Sequence, residues 1–173
     1  MVKYYFFTKV IPSLRSHSLP NVVFICTGNM CRSPFAEGIL KNRLARIGRN
    51  DITVASMGIH AKDGQKALKD VVAACSEQTI DISGHASRSL DYEELSRADF
   101  IFVMEAYHKQ NVQMFVPQVS SRVFLLGAWP AMERRTSEIP DPVGKGFREC
   151  RNILTRIAYH VDRIMPYLLA ETI

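Results

Sequence analysis

A chain of 173 residues, 47% hydrophobic and 23% charged, is one domain's worth of sequence with ordinary globular composition, which excludes disorder, collagen-like repeats and coiled coil. Its 22 basic and 17 acidic residues leave a net charge of +5, a modest excess that suits phosphate esters as well as nucleic acid. The four cysteines, Cys26, Cys31, Cys75 and Cys150, are too few and too irregularly spaced for a secreted disulfide scaffold and point to a reducing, cytoplasmic setting.

Residues 1–20 read as a poorly ordered N-terminal extension. The apolar run Tyr4-Tyr5-Phe6-Phe7 is interrupted by Thr8, Lys9 and Pro12 before it reaches signal-peptide length. Pro12, Ser13, Ser16, Ser18 and Pro20 then break any period. No later window approaches the roughly 20 apolar residues of a membrane span, so no membrane insertion is expected. Residues 21–173 form a single domain.

Val22-Val23-Phe24-Ile25, ending at Cys26, predicts a strand buried on both faces, as in a parallel sheet. A tight loop, Thr27 to Ser33, leads to a helix with Pro34 in its first turn and Phe35, Ile39, Leu40 and Leu44 on one face. The alternation continues with a strand over 52–55, a helix over 67–75, a short helix over 91–95 capped by Asp91, and a strand over 100–104. A helix carrying Val112 and Phe115 ends near Pro117, and a fourth strand covers 123–126. The segment 128–146, with Pro130, Pro140, Pro142, Gly144 and Gly146, is a long loop of the kind that often carries function. A helix over 147–169, bent before Pro166, closes the domain. Alternating strands and helices imply a doubly wound open α/β sheet, with its ligand site at the carboxyl ends of the strands. The Cys26 loop and the 128–146 loop both leave that end.

The loop Cys26-Thr27-Gly28-Asn29-Met30-Cys31-Arg32-Ser33 joins a buried strand to a helix N-terminus. Backbone N–H groups there form a nest for a tetrahedral dianion. Gly28 is expected to allow the tight turn. Arg32 can clamp two phosphate oxygens bidentately. The same positive field favours the thiolate of Cys26, a nucleophile aimed at phosphorus, with Ser33 as a hydrogen-bond donor to it. A thiolate that attacks a phosphomonoester needs an acid for the leaving oxygen and a base for water, and Asp141-Pro142 offers both roles, although Asp-Pro pairs also simply start turns.

These residues, from Phe24 to Glu37 together with Asp141-Pro142, resemble the signature of the low-molecular-weight protein tyrosine phosphatases. The resemblance implies a three-layer α/β fold, four parallel strands flanked by helices. It implies Cys26 as nucleophile forming a phosphocysteine, Arg32 as phosphate clamp, Ser33 as thiolate stabiliser and Asp141 as general acid and then base. Thr27, Gly28, Asn29, Met30, Cys31, Arg32 and Ser33 would bind phosphate. Asn29 would be held in a strained conformation by Ser56 and His85, with Glu37 and Glu105 as acidic partners of that histidine. Read without the resemblance, His85 is a capping or surface histidine, and His17, His60, His108 and His160 stay so. Cys31 either forms a reversible disulfide with Cys26 or packs under the loop, while Cys75 and Cys150 read as core. No metal site or cofactor is expected.

Val143-Gly144 stands where relatives carry aromatic residues that wall the phosphotyrosine pocket, so one aromatic wall is missing and selectivity over smaller phosphoesters is expected to be reduced unless Trp129 or Phe147 substitutes. Met30 resembles the tyrosine-specific members, whereas protein arginine phosphatases carry threonine there. Phosphotyrosine hydrolysis is therefore the favoured reading. Protein arginine phosphatase, arsenate reductase and a non-catalytic phosphoprotein-binding module are the alternatives, and arsenate reductase suffers because Cys75 has no close relay partner. The expected partners are phosphotyrosine proteins, including a bacterial tyrosine kinase of exopolysaccharide or capsule export. Nucleic acid is not among them, and the chain is expected to be a monomer or weak dimer.

Overall fold

A computed structural model of the protein describes residues 20–134 and 137–170; the N-terminal extension up to residue 19, with His17, lies outside them. Four parallel strands form one sheet: β1 (Asn21–Cys26), β2 (Thr53–Gly58), β3 (Phe100–Val103) and β4 (Val123–Leu125), in the order β2-β1-β3-β4. The helices are α1 (Arg32–Arg46), α2 (Lys69–Ser76), α3 (Tyr92–Arg97), α4 (Ala106–Phe115) and α5 (Phe147–Ala170), with a 3-10 turn at Pro117–Arg122. This is the expected doubly wound architecture.

Strand β1, apolar from Val22 to Cys26, is central and covered on both faces. Val22, Phe24 and Cys26 join the core beneath α1 and α5, while Val23 and Ile25 join a second cluster with Leu95, Val112, Val116 and Val119. Chain order reverses beside β1, since β2 lies on one side of it and β3 on the other. A cleft at the carboxyl end of β1 follows, where open α/β sheets bind ligands.

Element boundaries shift from the sequence reading by one to three residues, and at β2 and α2 the cause is tertiary. β2 runs on to Gly58 because Cys26 pairs in register with Gly58, whose N–H donates to the Arg88 carbonyl at 2.9 Å. α2 starts at Lys69 because Leu68 stays extended and its N–H donates to the Met30 carbonyl at 2.9 Å, which ties the helix to the Cys26 loop. α5 runs through Pro166 to Ala170, in line with the expected closing helix. Its buried stripe of Ile153, Leu154, Ile157, Val161, Ile164 and Leu168 holds the helix against α1. Asp91 caps α3 as expected, its side chain accepting from Glu94 N. The aromatic rings of Phe100, Phe102, Phe124 and Trp129 pack together with centroids 5.5–6.4 Å apart. Trp129 is therefore a core residue and does not substitute for the missing aromatic wall.

The glycine that the Cys26 loop depends on is Gly58. A Cβ there would lie 2.6 Å from the Thr27 carbonyl oxygen and 2.8 Å from Asn29 N, backbone atoms that cannot swing aside. A Cβ on Gly28 would meet nothing within 4 Å, and its backbone is outside the left-handed region, so the turn does not require glycine there and the expectation that Gly28 permits it is corrected. Gly58→Ala is expected to cost about 2 kcal/mol through overpacking. Gly28→Ala should leave the thermal midpoint within about 2 °C of wild type, as for an unstrained site. Thermal unfolding of the two variants checks the contrast, and equal losses would contradict it.

Candidate active site

Asn29 is fully buried at φ 51°, a left-handed conformation that Asn tolerates better than most residues. Its Nδ2 donates to Ser33 Oγ at 2.9 Å and Ser56 Oγ at 2.8 Å, and its Oδ1 accepts from Arg88 N at 2.8 Å. Its carbonyl lies 2.7 Å from His85 Nε2, which must be the donor because a carbonyl only accepts. Ser56 and His85 thus stand where the sequence reading put them.

Glu37 and Glu105 do not pair with His85 as expected. Glu37 accepts from Ser56 Oγ at 2.6 Å and from Lys41 Nζ at 2.5 Å, extending the Asn29 chain along α1. Glu105 caps α4 and accepts from Arg32 Nη1. The correction has a geometric cause: Glu105 follows β3, whose end lies beside the Arg32 guanidinium, whereas His85 approaches Asn29 from the segment after β2.

Cys26 Sγ lies 3.0 Å from Ser33 Oγ, and Ser33 Oγ lies 3.3 Å from the Met57 carbonyl. Since Ser33 already accepts from Asn29, its one proton serves either Met57 or the sulfur. Arg32 has a side chain only 1% exposed, and its four terminal N–H groups all have acceptors. Nη1 donates to Glu105 and to the Ile139 carbonyl at 3.0 Å, and Nη2 donates to Asp141 Oδ2 at 2.8 Å and Thr27 Oγ1 at 3.2 Å. Burial opposes its charge, but the Glu105 hydrogen bond and the charges of Cys26, Asp141 and Glu105 outweigh this and raise its pKa.

Asp141 reaches Arg32 because the long loop is pinned two residues before it, at Ile139. Ile139 is buried, its N–H donating to the Met104 carbonyl at 2.8 Å, so the loop crosses the end of β3. Asp141 Oδ1 accepts from Val143 N at 3.0 Å. The Asp-Pro turn and the site contact are thus made by the two oxygens of one carboxylate. Met30 is half-buried and ties α2 through its carbonyl.

Sequence reasoning missed the residues behind Thr27. His108 is fully buried, with Nδ1 accepting from Glu105 N at 3.1 Å and Nε2 lying 3.0 Å from Thr27 Oγ1. It is a capping histidine, as expected, but it is not at the surface. The Glu-x-x-His pairing reverses the usual capping-box residue types, so the pattern gave no signal. Tyr107 Oη lies 2.5 Å from the same Thr27 oxygen. Arg88, at the end of the Ser83-to-Arg88 segment, donates to the Ser56 carbonyl and Glu94 as well as fixing Asn29.

Cys31 is buried and interacts with the thiols of Cys150 and Cys26; burial pushes its pKa far up. Cys75 is on the buried face of α2, its pKa pushed up to about 12 by burial alone, as suits core packing and not a reactive relay. Phe147 lines a small cleft with Asp70, Ala74 and Glu77 of α2. Among the described residues no group of three or more His, Cys, Asp or Glu could hold a metal ion, and no helix is long and apolar enough to cross a membrane.

Residues 21–172 match the family model described as low molecular weight phosphotyrosine protein phosphatase. A probable low molecular weight protein-tyrosine-phosphatase, EpsP, of Ralstonia nicotianae is 33% identical over 152 residues, 88% of this chain and 98% of that protein. The protein-arginine-phosphatase of Bacillus subtilis is also 33% identical, over 124 residues, 72% of this chain and 80% of that one. The crystal structure of a low molecular weight protein tyrosine phosphatase from T. tengcongensis superposes with a TM-score of 0.79 at 29% identity, covering 86% of this chain and 99% of that one.

Burial makes two histidines a test of this packing. It lowers the His108 pKa to about 3, aided by Arg32 and His60, and that of His160 to about 4, aided by Arg163 and Arg156. Both stay neutral when folded, while the unfolded chain takes up protons below about pH 6.5, so stability falls as pH drops from there. At pH 5 the loss is about 2 kcal/mol per histidine. Urea unfolding at pH 7.5 and pH 5 measures it, and His108→Gln should remove about half of the difference.

Proposed function

Since the chain belongs to the low molecular weight phosphotyrosine protein phosphatase family, we propose that this phosphatase hydrolyses phosphotyrosine in proteins through a phosphocysteine on Cys26. What carries the reading is the convergence on one guanidinium. Asp141, 109 residues further along the chain, shares Arg32 Nη2 with Thr27, the residue next to Cys26.

The steps follow from the side chains in place. Ionised Cys26 accepts the Ser33 proton, which turns away from the Met57 carbonyl, and the Asn29 donor keeps that hydroxyl oriented. A phosphoryl oxygen replaces Asp141 at Arg32 Nη2 and so frees the carboxyl. Glu105 and the Ile139 carbonyl hold Nη1 and keep the guanidinium plane fixed. The sulfur attacks phosphorus, and the bond to the leaving oxygen breaks as protonated Asp141 donates to it. Asp141, now a carboxylate, takes a proton from water. The hydroxide displaces the Cys26 thiolate and phosphate leaves. Peroxide would oxidise the Cys26 thiolate to a sulfenic acid, and attack by the thiol of Cys31, five residues along the same loop, would expel water and leave a disulfide that thiols can reduce.

Met30 supports phosphotyrosine, whereas equal identity to the Bacillus arginine phosphatase and the exposed Val143 support phosphoarginine as the second reading. The physiological substrate we propose is a tyrosine-phosphorylated protein, a bacterial tyrosine kinase of exopolysaccharide or capsule export being the partner that the resemblance implies. Phosphate release from matched phosphotyrosine and phosphoarginine peptides, with Cys26→Ser as blank, tests the choice. Faster release from phosphotyrosine, slowed about 10²-fold or more in Asp141→Asn, is expected. Preference for phosphoarginine would establish the second reading, and an unaltered rate in Asp141→Asn would remove Asp141 from its role.

A further inference from the structure

We propose that Tyr107 is a specificity-determining residue whose ring forms the aromatic wall for a phosphotyrosine side chain that the Asp-Pro loop lacks. The proposal rests on the phosphotyrosine reading and names the residue that gives it selectivity.

Counting protons around Thr27 fixes the orientation. Glu105 N–H donates to His108 Nδ1, so that nitrogen carries its lone pair. The neutral ring therefore holds its proton on Nε2 and donates it to Thr27 Oγ1 at 3.0 Å. Arg32 Nη2 donates to the same oxygen at 3.2 Å. Both lone pairs of the hydroxyl are then used, and its own proton must go to Tyr107 Oη, 2.5 Å away. The phenol accepts from inside the protein, and its own proton remains to be donated outward. Tyr107 is thus anchored at its hydroxyl, by an oxygen that is itself bonded to the phosphate-clamping nitrogen.

The ring is held as well. It packs on His108 with centroids 4.2 Å apart and planes tilted by 36°, while the residue stays 39% exposed. An aryl ring can therefore stack on it without displacing a core contact. Asp141 and Thr27 take the two hydrogens of Arg32 Nη2, and Tyr107 joins the site through Thr27, by a different hydrogen of that nitrogen from the one the Asp-Pro loop uses. Val143, on that loop, is 62% exposed and aliphatic, Trp129 is locked in the core and Phe147 faces α2. Among the candidate aromatics, Tyr107 is the one joined to the site by hydrogen bonds.

Competitive inhibition by benzylphosphonate and by methylphosphonate separates the ring from the phosphoryl group. Wild type should bind the benzyl compound more tightly. In Tyr107→Ala the ratio of the two inhibition constants should shift about tenfold against the benzyl compound, which is what one lost aromatic contact is worth. Tyr107→Phe, which keeps the ring, should restore most of the ratio. Equal weakening of both phosphonates would mean that Tyr107 only positions Thr27 and Arg32, and an unaltered ratio would mean that it touches neither; both overturn the proposal. Wild-type turnover of a phosphotyrosine peptide is measured alongside. Its absence would sink the phosphotyrosine reading itself, whereas turnover with an unaltered ratio would sink only the assignment of Tyr107.

Discussion

The left-handed backbone of Asn29 is the constraint on which the rest of the site depends. A buried non-glycine residue at φ 51° is held by its surroundings, and here each polar atom of its side chain and its carbonyl has a partner from a different part of the chain. Ser33 begins α1, Ser56 lies on β2, and His85 and Arg88 come from the segment between α2 and α3. Each buried bond is worth about 1 kcal/mol net, but leaving one partner unmade would strand a desolvated polar group at greater cost. The loop is therefore rigid before any substrate arrives, and Ser33 is oriented toward Cys26 as a by-product of holding Asn29.

A second set of bonds organises Arg32. Its four terminal N–H groups go to Glu105, the Ile139 carbonyl, Asp141 and Thr27. Of these acceptors only Asp141 is substantially exposed, with 43% of its side chain accessible. The buried partners set the guanidinium plane, and the exposed one can exchange with an incoming anion. This division follows from the topology: Glu105 and Ile139 sit at the end of β3, next to β1 in the sheet, while Asp141 lies two residues further along a loop pinned at Ile139.

Much of this was legible in the sequence. The run Val22 to Ile25 and the spacing of Phe35, Ile39, Leu40 and Leu44 identify β1 and α1 because burial imposes those periods directly. Cys26, Arg32, Ser33 and Asp141 are legible because their chemistry needs those residue types in those places. What was not legible depends on contacts between distant segments. Gly58 matters because the Thr27 and Asn29 backbone lies against it, which no local pattern reports. Glu105 turns to Arg32 and Glu37 to Ser56 because of which strand ends adjoin. His108 looks solitary along the chain and is buried behind Thr27 only once α4 packs beside the loop. Trp129 offered a substitute for the missing aromatic wall, but the aromatic cluster of Phe100, Phe102 and Phe124 draws it into the core.

The central claim is that Cys26 carries the phosphoryl group between the two half-reactions. Intact mass and peptide mapping of the Asp141→Asn protein, mixed with p-nitrophenyl phosphate and quenched in acid, test it most directly. This substrate's good leaving group lets the first step proceed without an acid, while the missing base delays the second. The expected result is one phosphoryl group on the peptide containing Cys26. Release of nitrophenolate with no adduct, or with an adduct on another residue, would contradict it.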